Sequence, residues 1–305
     1  MLKSVGDLVN IVKTIHPKRI AVVFAHDEFV IDAVHEAAKL GVIKPILIGD
    51  QQMINSIIRE KGCQGSPDII HCIDPEEATK IAMDLVNKGD VDIVMKGLID
   101  TKILLKGVVN KDYGIRLYPL LSHVGLVSIP GHPRVLFASD GAMNIQPSVE
   151  EKRLIIENAV LLAHSLGYSM PKVGLVSSVE KVNPKIQSTV DAGEIVQYYQ
   201  ANPPKDFLID GPFAIDNLVS LESVKHKGIQ SPVAGECDIL IFPNLDGGNI
   251  FYKTTVFLAN GISAGIIIGA KVPIVLTSRA DSSQAKLYSI LLAVVNQDGL
   301  LIAGH

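Results

Sequence analysis

The sequence predicts an α/β protein built as two lobes, and three observations carry that reading. Short apolar runs such as "RIAVVFA", "KPILIG" and "VDIVMKG" alternate with stretches of helical spacing. Strands apolar at nearly every position are buried on both faces, which is the condition of a parallel sheet covered by helices. The rhythm changes at about residue 121 and a second strand–helix series follows, in a chain of 305 residues that has room for two domains.

The elements follow in order. "RIAVVFA" is a strand and "DEFVIDAVHEAAKLG" a helix with a glycine stop; "KPILIG", "DQQMINSIIREKG" and "DIIHCI" repeat the pattern. "DPEEATKIAMDLVNKG" is a fully signed helix, with Asp74 as N-cap, Pro75 at the first position, Glu77 three residues on and Gly89 past the end. "VDIVMKG" is the next strand. "LSHVGLVSI" and "RVLFASD" flank the turn cluster "PGHP" and read as an antiparallel hairpin on the same sheet. Ser148 and Glu151 form a capping box that opens a long helix. The domain change is placed there, giving one domain of residues 1–145 and 272–305 and another of residues 146–271.

In the second series "KVGLVSS", "DFLIDGPFA" and "DILIFPN" are strands and "STVDAGEIVQYYQ" a helix. "FPNLDGGNIFYK" reads as a loop that leads into a helix from Ile250. "VPIVLTS" and the helix "SSQAKLYSILLAVV" close the series. A cleft between the two lobes is the expected ligand site.

Composition narrows the function. Hydrophobic residues make up 48% and charged ones 20%, which is globular and not disordered. A net charge of −4 gives no reason to expect nucleic acid or an anionic membrane as partner. No secretory signal pattern and no spanning apolar stretch occur, so a cytoplasmic location is expected. Cys63, Cys72 and Cys237 form no C-x-x-C, and the nine His lack H-x-x-x-H spacing. Neither a disulfide framework nor a metal site is indicated.

Ligands of open α/β sheets collect at the carboxyl ends of strands. Four polar stretches fall there: "MKGLIDTKILLK" with Lys96, Lys102 and Lys106; "SDGAMNIQP" with Asn144; "FPNLDGGNIFYK" with Asn249 and Lys253; and "TSRADSS" with Ser278, Arg279 and Asp281. Singly, each has a plain reading as a turn glycine or a solvated lysine. Together they offer amides and cations suited to an anion, which helix N-termini and a bidentate arginine bind readily. Two generic motifs do not apply. "GISAG" matches the nucleophile elbow in letters, but it is read at the end of a helix and not at a strand-to-helix turn. Neither G-x-G-x-x-G nor G-x-x-x-x-G-K-[ST] occurs.

"VMKGLIDTKILLK", "LSHVGLV", "FASDGAMNIQPSVEEK", "SSVEKVNPKI", "GPFAIDN", "SPVAGECDIL", "FPNLDGGNIFYK" and "VPIVLTSRADSS", in that order, resemble the phosphate acetyl/butyryltransferase family. "LTSRADS" and "SSVEKVNPKI" look closer to its butyryl branch. The resemblance implies transfer of a short-chain acyl group between coenzyme A and inorganic phosphate, with coenzyme A as substrate and no tightly bound cofactor. It implies two α/β domains of the isocitrate/isopropylmalate dehydrogenase-like kind and a homo-oligomer. Ser278 would donate to the reacting carbonyl oxygen or thiolate and Arg279 would hold phosphate. Lys96, Lys106, Asn144, Asn249 and Lys253 would contact phosphate or coenzyme A; Lys106 stands where the acetyl branch has an arginine, so the charge is kept without the fork.

One departure stands out. The acetyl branch carries an aspartate seven residues after this serine as the proposed base for the thiol, and here that position is Ala285. Either Asp281 substitutes, or no base operates and Asp281 caps the last helix. The rival readings are an acetyl-specific transferase, a dehydrogenase of related fold, for which neither a metal-binding aspartate cluster nor a nicotinamide site is found, and a non-catalytic homologue that binds coenzyme A or acyl phosphate.

Overall fold

Four aspartates set the rhythm of the first strand–helix series in a computed structural model that describes residues 2–278 and 280–303. A helical turn, α1 (Leu8–Ile11), precedes β1 (Lys18–Val23). Asp27 then caps α2 (Glu28–Lys39) by accepting the Val30 N–H at 2.9 Å. After β2 (Ile43–Gly49), Asp50 caps α3 (Gln51–Glu60) through the Gln52 and Met53 N–H groups. After β3 (Asp68–His71), Asp74 caps α4 (Pro75–Asn87), with Pro75 at its start and Glu77 N–H on the Asp74 carboxylate. After β4 (Ile93–Lys96), Asp100 caps α5 (Thr101–Val108) through Lys102 N–H at 2.7 Å. A carboxylate at each helix start accepts an otherwise orphaned amide and meets the positive end of the helix dipole.

The chain continues through β5 (Ser122–Ser128), β6 (Leu136–Ser139), α6 (Val149–Ser165), β7 (Lys172–Val176), α7 (Gln187–Ala201) and β8 (Leu208–Phe213). Two short helices not read from the sequence follow, α8 (Ile215–Val219) and α9 (Leu221–Lys227). Then come β9 (Ile239–Ile241), α10 (Leu245–Phe257), β10 (Ile262–Ile268), β11 (Ile274–Val275) and α11 (Ser283–Ala303). The capping box at Ser148 and Glu151 is present in both directions.

The chain divides into two compact units, one of Gly6–Leu121 with Ser263–His305 and one of Met1–Val5 with Ser122–Ile262. In the first unit the strands lie in the order β3-β2-β1-β4-β11-β10. All are parallel except β10, which runs against β11. Ile20, Val22, Ile93 and Met95 are fully buried, as both-face coverage requires. In the second unit the order is β5-β6-β9-β7-β8, parallel except for the β5–β6 hairpin.

Three expectations change. The hairpin forms, with Gly125 opposite Ala138, but β6 pairs on its other side with β9, Phe137 opposite Ile239. It therefore belongs to the second unit's sheet, and the boundaries fall at 121/122 and 262/263 where the sequence reading put 145/146 and 271/272. A hydrophobic pattern states that a strand is buried and not which distant strand it joins. The stretch "FPNLDGGNIFYK" is mostly helix, because Asn244 caps the Gly247 N–H at 2.9 Å and α10 starts at Leu245. "GISAG" opens strand β10 with Ser263 buried, so it is neither a helix end nor an elbow.

Candidate active site

In the first unit β1, β2, β4 and β11 run parallel, so the loops after them share one edge of the sheet. The ends of β1 and β4 cross closely there. Gly97 N–H donates to Val23 O at 2.8 Å and Leu98 N–H to Phe24 O at 2.7 Å. A Cβ on Gly97 would lie 2.1 Å from the Phe24 carbonyl oxygen, which only glycine avoids. Lys96 at the end of β4 is buried, and its ammonium donates to the Gly97 carbonyl at 3.3 Å. His26 follows β1; burial lowers its imidazole below the ordinary range, against the opposing pull of Asp50 and Asp27.

The loop after β11 is tied to itself. Asp281 Oδ2 accepts the Ser278 N–H at 2.7 Å, and the Ser278 Oγ accepts the Ala280 N–H at 3.3 Å. The Ser278 side chain is exposed, and since its oxygen takes one proton its own O–H remains as a donor. At the start of α11 the Ser282 Oγ accepts the Ala285 N–H at 3.2 Å. Below the loop, the buried Lys286 ammonium donates to Ser278 O at 2.8 Å and Asp281 O at 3.0 Å. Arg279 lies outside the described residues. Lys106 is exposed and forms an ion pair with Glu76 at 3.2 Å, a contact worth little in water.

In the second unit the loops after β6 and β9 likewise share an edge, since these strands pair in parallel. The buried Asp140 carboxylate organises the loop after β6. It accepts from the backbone N–H of His123, Ala142 and Met143 and, at 2.7 Å, from the Asn144 amide. The first turn of α10 packs directly on that loop. A Cβ on Gly248 would lie 2.3 Å from Asp140 O, and one on Gly141 would lie 2.8 Å from the Gly248 carbonyl carbon. Gly141 and Gly248 thus meet backbone to backbone, which explains why a helix accepts Gly248 in its first turn despite its cost. Asn249, one residue on, donates its amide to Gly141 O at 3.2 Å. Lys253 lies one turn further along α10, its ammonium 5.3 Å from the Tyr252 ring and 5.4 Å from the Phe257 ring.

Gly248→Ala is therefore expected to destabilise the second unit by about 2 kcal/mol, because backbone cannot move aside as a side-chain tip can. A denaturant midpoint unchanged from the parent would show that the two loops yield without cost.

The structure thus joins Ser278 with Asp281 in one loop, and Asn144 with Asn249 around another. It sets Lys106 apart in a surface ion pair. Sequence reasoning missed Asp140 and Lys286, both buried. The "SDG" turn hints at the first. Nothing marks the second, since a lysine in the first turn of an amphipathic helix reads as solvated.

The comparisons bear on this chemistry. The sequence pattern of the "Phosphate acetyl/butaryl transferase" family matches residues 76–294. A phosphate butyryltransferase of Clostridium beijerinckii is 40% identical over 97% of this chain and 98% of its own length. A phosphate acetyltransferase of Thermotoga maritima is 45% identical over 91% of this chain and 95% of its own. Among solved structures, a branched-chain phosphotransacylase from Enterococcus faecalis superposes with a TM-score of 0.82 at 31% identity, covering 92% of this chain and 99% of that one. On these matches, a family pattern over residues 76–294 and relatives 40% and 45% identical over nearly the whole chain, the chain belongs to the phosphate acetyl/butyryl transferase family.

Proposed function

We propose that the protein transfers a short-chain acyl group, butyryl by preference, between coenzyme A and inorganic phosphate. The observation that carries this reading is Ser278 at the carboxyl end of β11, followed by Arg279, in a chain that aligns end to end with a phosphate butyryltransferase. In the direction from acyl-CoA, a phosphate oxygen attacks the thioester carbonyl carbon, the C=O electron pair moves onto oxygen, and collapse breaks the C–S bond to release the thiolate. The Ser278 O–H, already accepting from Ala280 N–H, donates to the developing oxyanion. Arg279 grips the attacking phosphate through a two-pronged contact. Lys96, Asn249 and Lys253 serve the phosphate and coenzyme A, with Asn144 holding the loop on which Asn249 rests. Lys106, exposed and paired with Glu76, serves the coenzyme A end.

Asp281 has a different part. Its carboxylate is committed to the Ser278 N–H and so sets the serine's backbone. No carboxylate base is then needed, since a thiol is already a few per cent thiolate near neutral pH. Asp281→Asn is expected to slow synthesis of acyl-CoA only a few fold, because the amide oxygen accepts the same bond. A fall of about 10²-fold that recovers at high pH would make Asp281 the base instead.

The direct test is thiol release from butyryl-CoA with and without phosphate, beside acetyl-CoA. Phosphate-dependent release faster with butyryl-CoA supports the reading; faster release from acetyl-CoA would move the chain to the acetyl branch. Absence of release with either would leave a binding protein. Kinship with the isocitrate and isopropylmalate dehydrogenases in fold, a cytoplasmic location and a homo-oligomeric state belong to the same proposal. Among the described residues no helix is long and apolar enough to cross a membrane, and light scattering tests the oligomer.

A further inference from the structure

Lys286 stands out because its placement is costly. It sits in the first turn of α11 with only 3% of its surface exposed, in a position where leucine or methionine would fill the space without desolvating a charge. Its ammonium is turned back under the preceding loop, onto Ser278 O at 2.8 Å and Asp281 O at 3.0 Å. Asp281 in turn accepts the Ser278 N–H at 2.7 Å. Ser278 is thus held at both of its backbone polar groups, the N–H by a carboxylate and the C=O by an ammonium. Asp281 N–H also donates back to Ser278 O at 3.2 Å, so Ser278, Ala280 and Asp281 are bound to one another while the Ser278 side chain stays exposed.

From this geometry we propose that Lys286 is a positioning residue for the acyl transfer, fixing the Ser278 hydroxyl through the Ser278 and Asp281 carbonyls. The inference rests on the function proposed above. Its reach is through the backbone, and it touches no reacting atom. The ammonium must be charged to hold two carbonyls at once, since a neutral amine is a far weaker donor. Two carboxylates face it, Asp281 from the loop and Asp27 from the start of α2. Burial pulls its pKa below the usual lysine range against those two carboxylates, which brings loss of the clamp closer to neutral pH.

The test is phosphate-dependent thiol release from butyryl-CoA by wild type, Lys286→Met and Lys286→Arg, from neutral to strongly alkaline pH, beside circular-dichroism melts. In this direction no thiol needs deprotonation, so an alkaline fall in rate is not masked by thiolate formation. Lys286→Met is expected to lower kcat by about 10²-fold, the scale of a small misplacement of a reacting group, while KM for both substrates changes only a few fold. Lys286→Arg is expected to recover much of the loss and to hold its rate at alkaline pH where wild type declines, because the guanidinium stays charged. A folded Lys286→Met with nearly the original kcat overturns the inference. So does a fall in rate that merely follows the unfolded fraction. Should the methionine variant not fold, coincident alkaline limbs for wild type and Lys286→Arg overturn it alone. If wild type itself releases no thiol, the proposed function falls and this inference with it; an active wild type with silent Lys286 variants sinks only the inference.

Discussion

Ser278→Ala is expected to lower kcat by about 10²-fold or more while butyryl-CoA and phosphate still bind. A hydroxyl aimed at an oxygen that becomes negative only as the bond forms acts chiefly in the transition state, so its loss falls on kcat and not on KM. The site favours this use. The hydroxyl is exposed at the end of β11, its oxygen accepts the Ala280 N–H at 3.3 Å, and its backbone is held by Asp281 at 2.7 Å. The competing account is a hydroxyl that only ties the turn through Ala280. Removing that bond would cost stability of about 1 kcal/mol and leave turnover intact. Steady-state kinetics beside a melting curve on the same variant separates the two. A variant that melts lower but turns over at nearly the parent rate would end the catalytic assignment.

Arg279→Ala is expected to raise the KM for phosphate by about 10-fold or more and to lower kcat as well, since a charge-assisted contact to a dianion is lost in both ground and transition states. The KM for butyryl-CoA should move much less. Arg279→Lys should restore only part of the loss, because a point charge on a flexible stem replaces a planar fork. Together with Ser278→Ala this gives a crossed pattern, one variant failing in kcat alone and the other in phosphate binding and kcat. Unchanged phosphate kinetics in Arg279→Ala would remove that residue from the site.

The sequence by itself determined the elements whose causes are local. Apolar runs gave β1, β2 and β4; Asp27, Asp50, Asp74 and Asp100 opened helices with their own carboxylates; Ser148 and Glu151 closed a capping box three residues apart. The strand-end loops with Ser278 and Asn144 were legible as loops for the same reason, since a polar break after an apolar run is a local pattern. Only the tertiary structure decided what depends on residues far apart in the chain. It assigned the β5–β6 hairpin to the sheet of β9, a pairing across about a hundred residues that no periodicity encodes. It also placed the first turn of α10 against the Asp140 carbonyl, so that Gly248, a residue that reads locally as a breaker, becomes a requirement where two backbones touch. And it turned Lys286 from a surface lysine into a buried clamp. Side-chain charge is written in the sequence; whether that charge faces water or two carbonyl oxygens is fixed by packing.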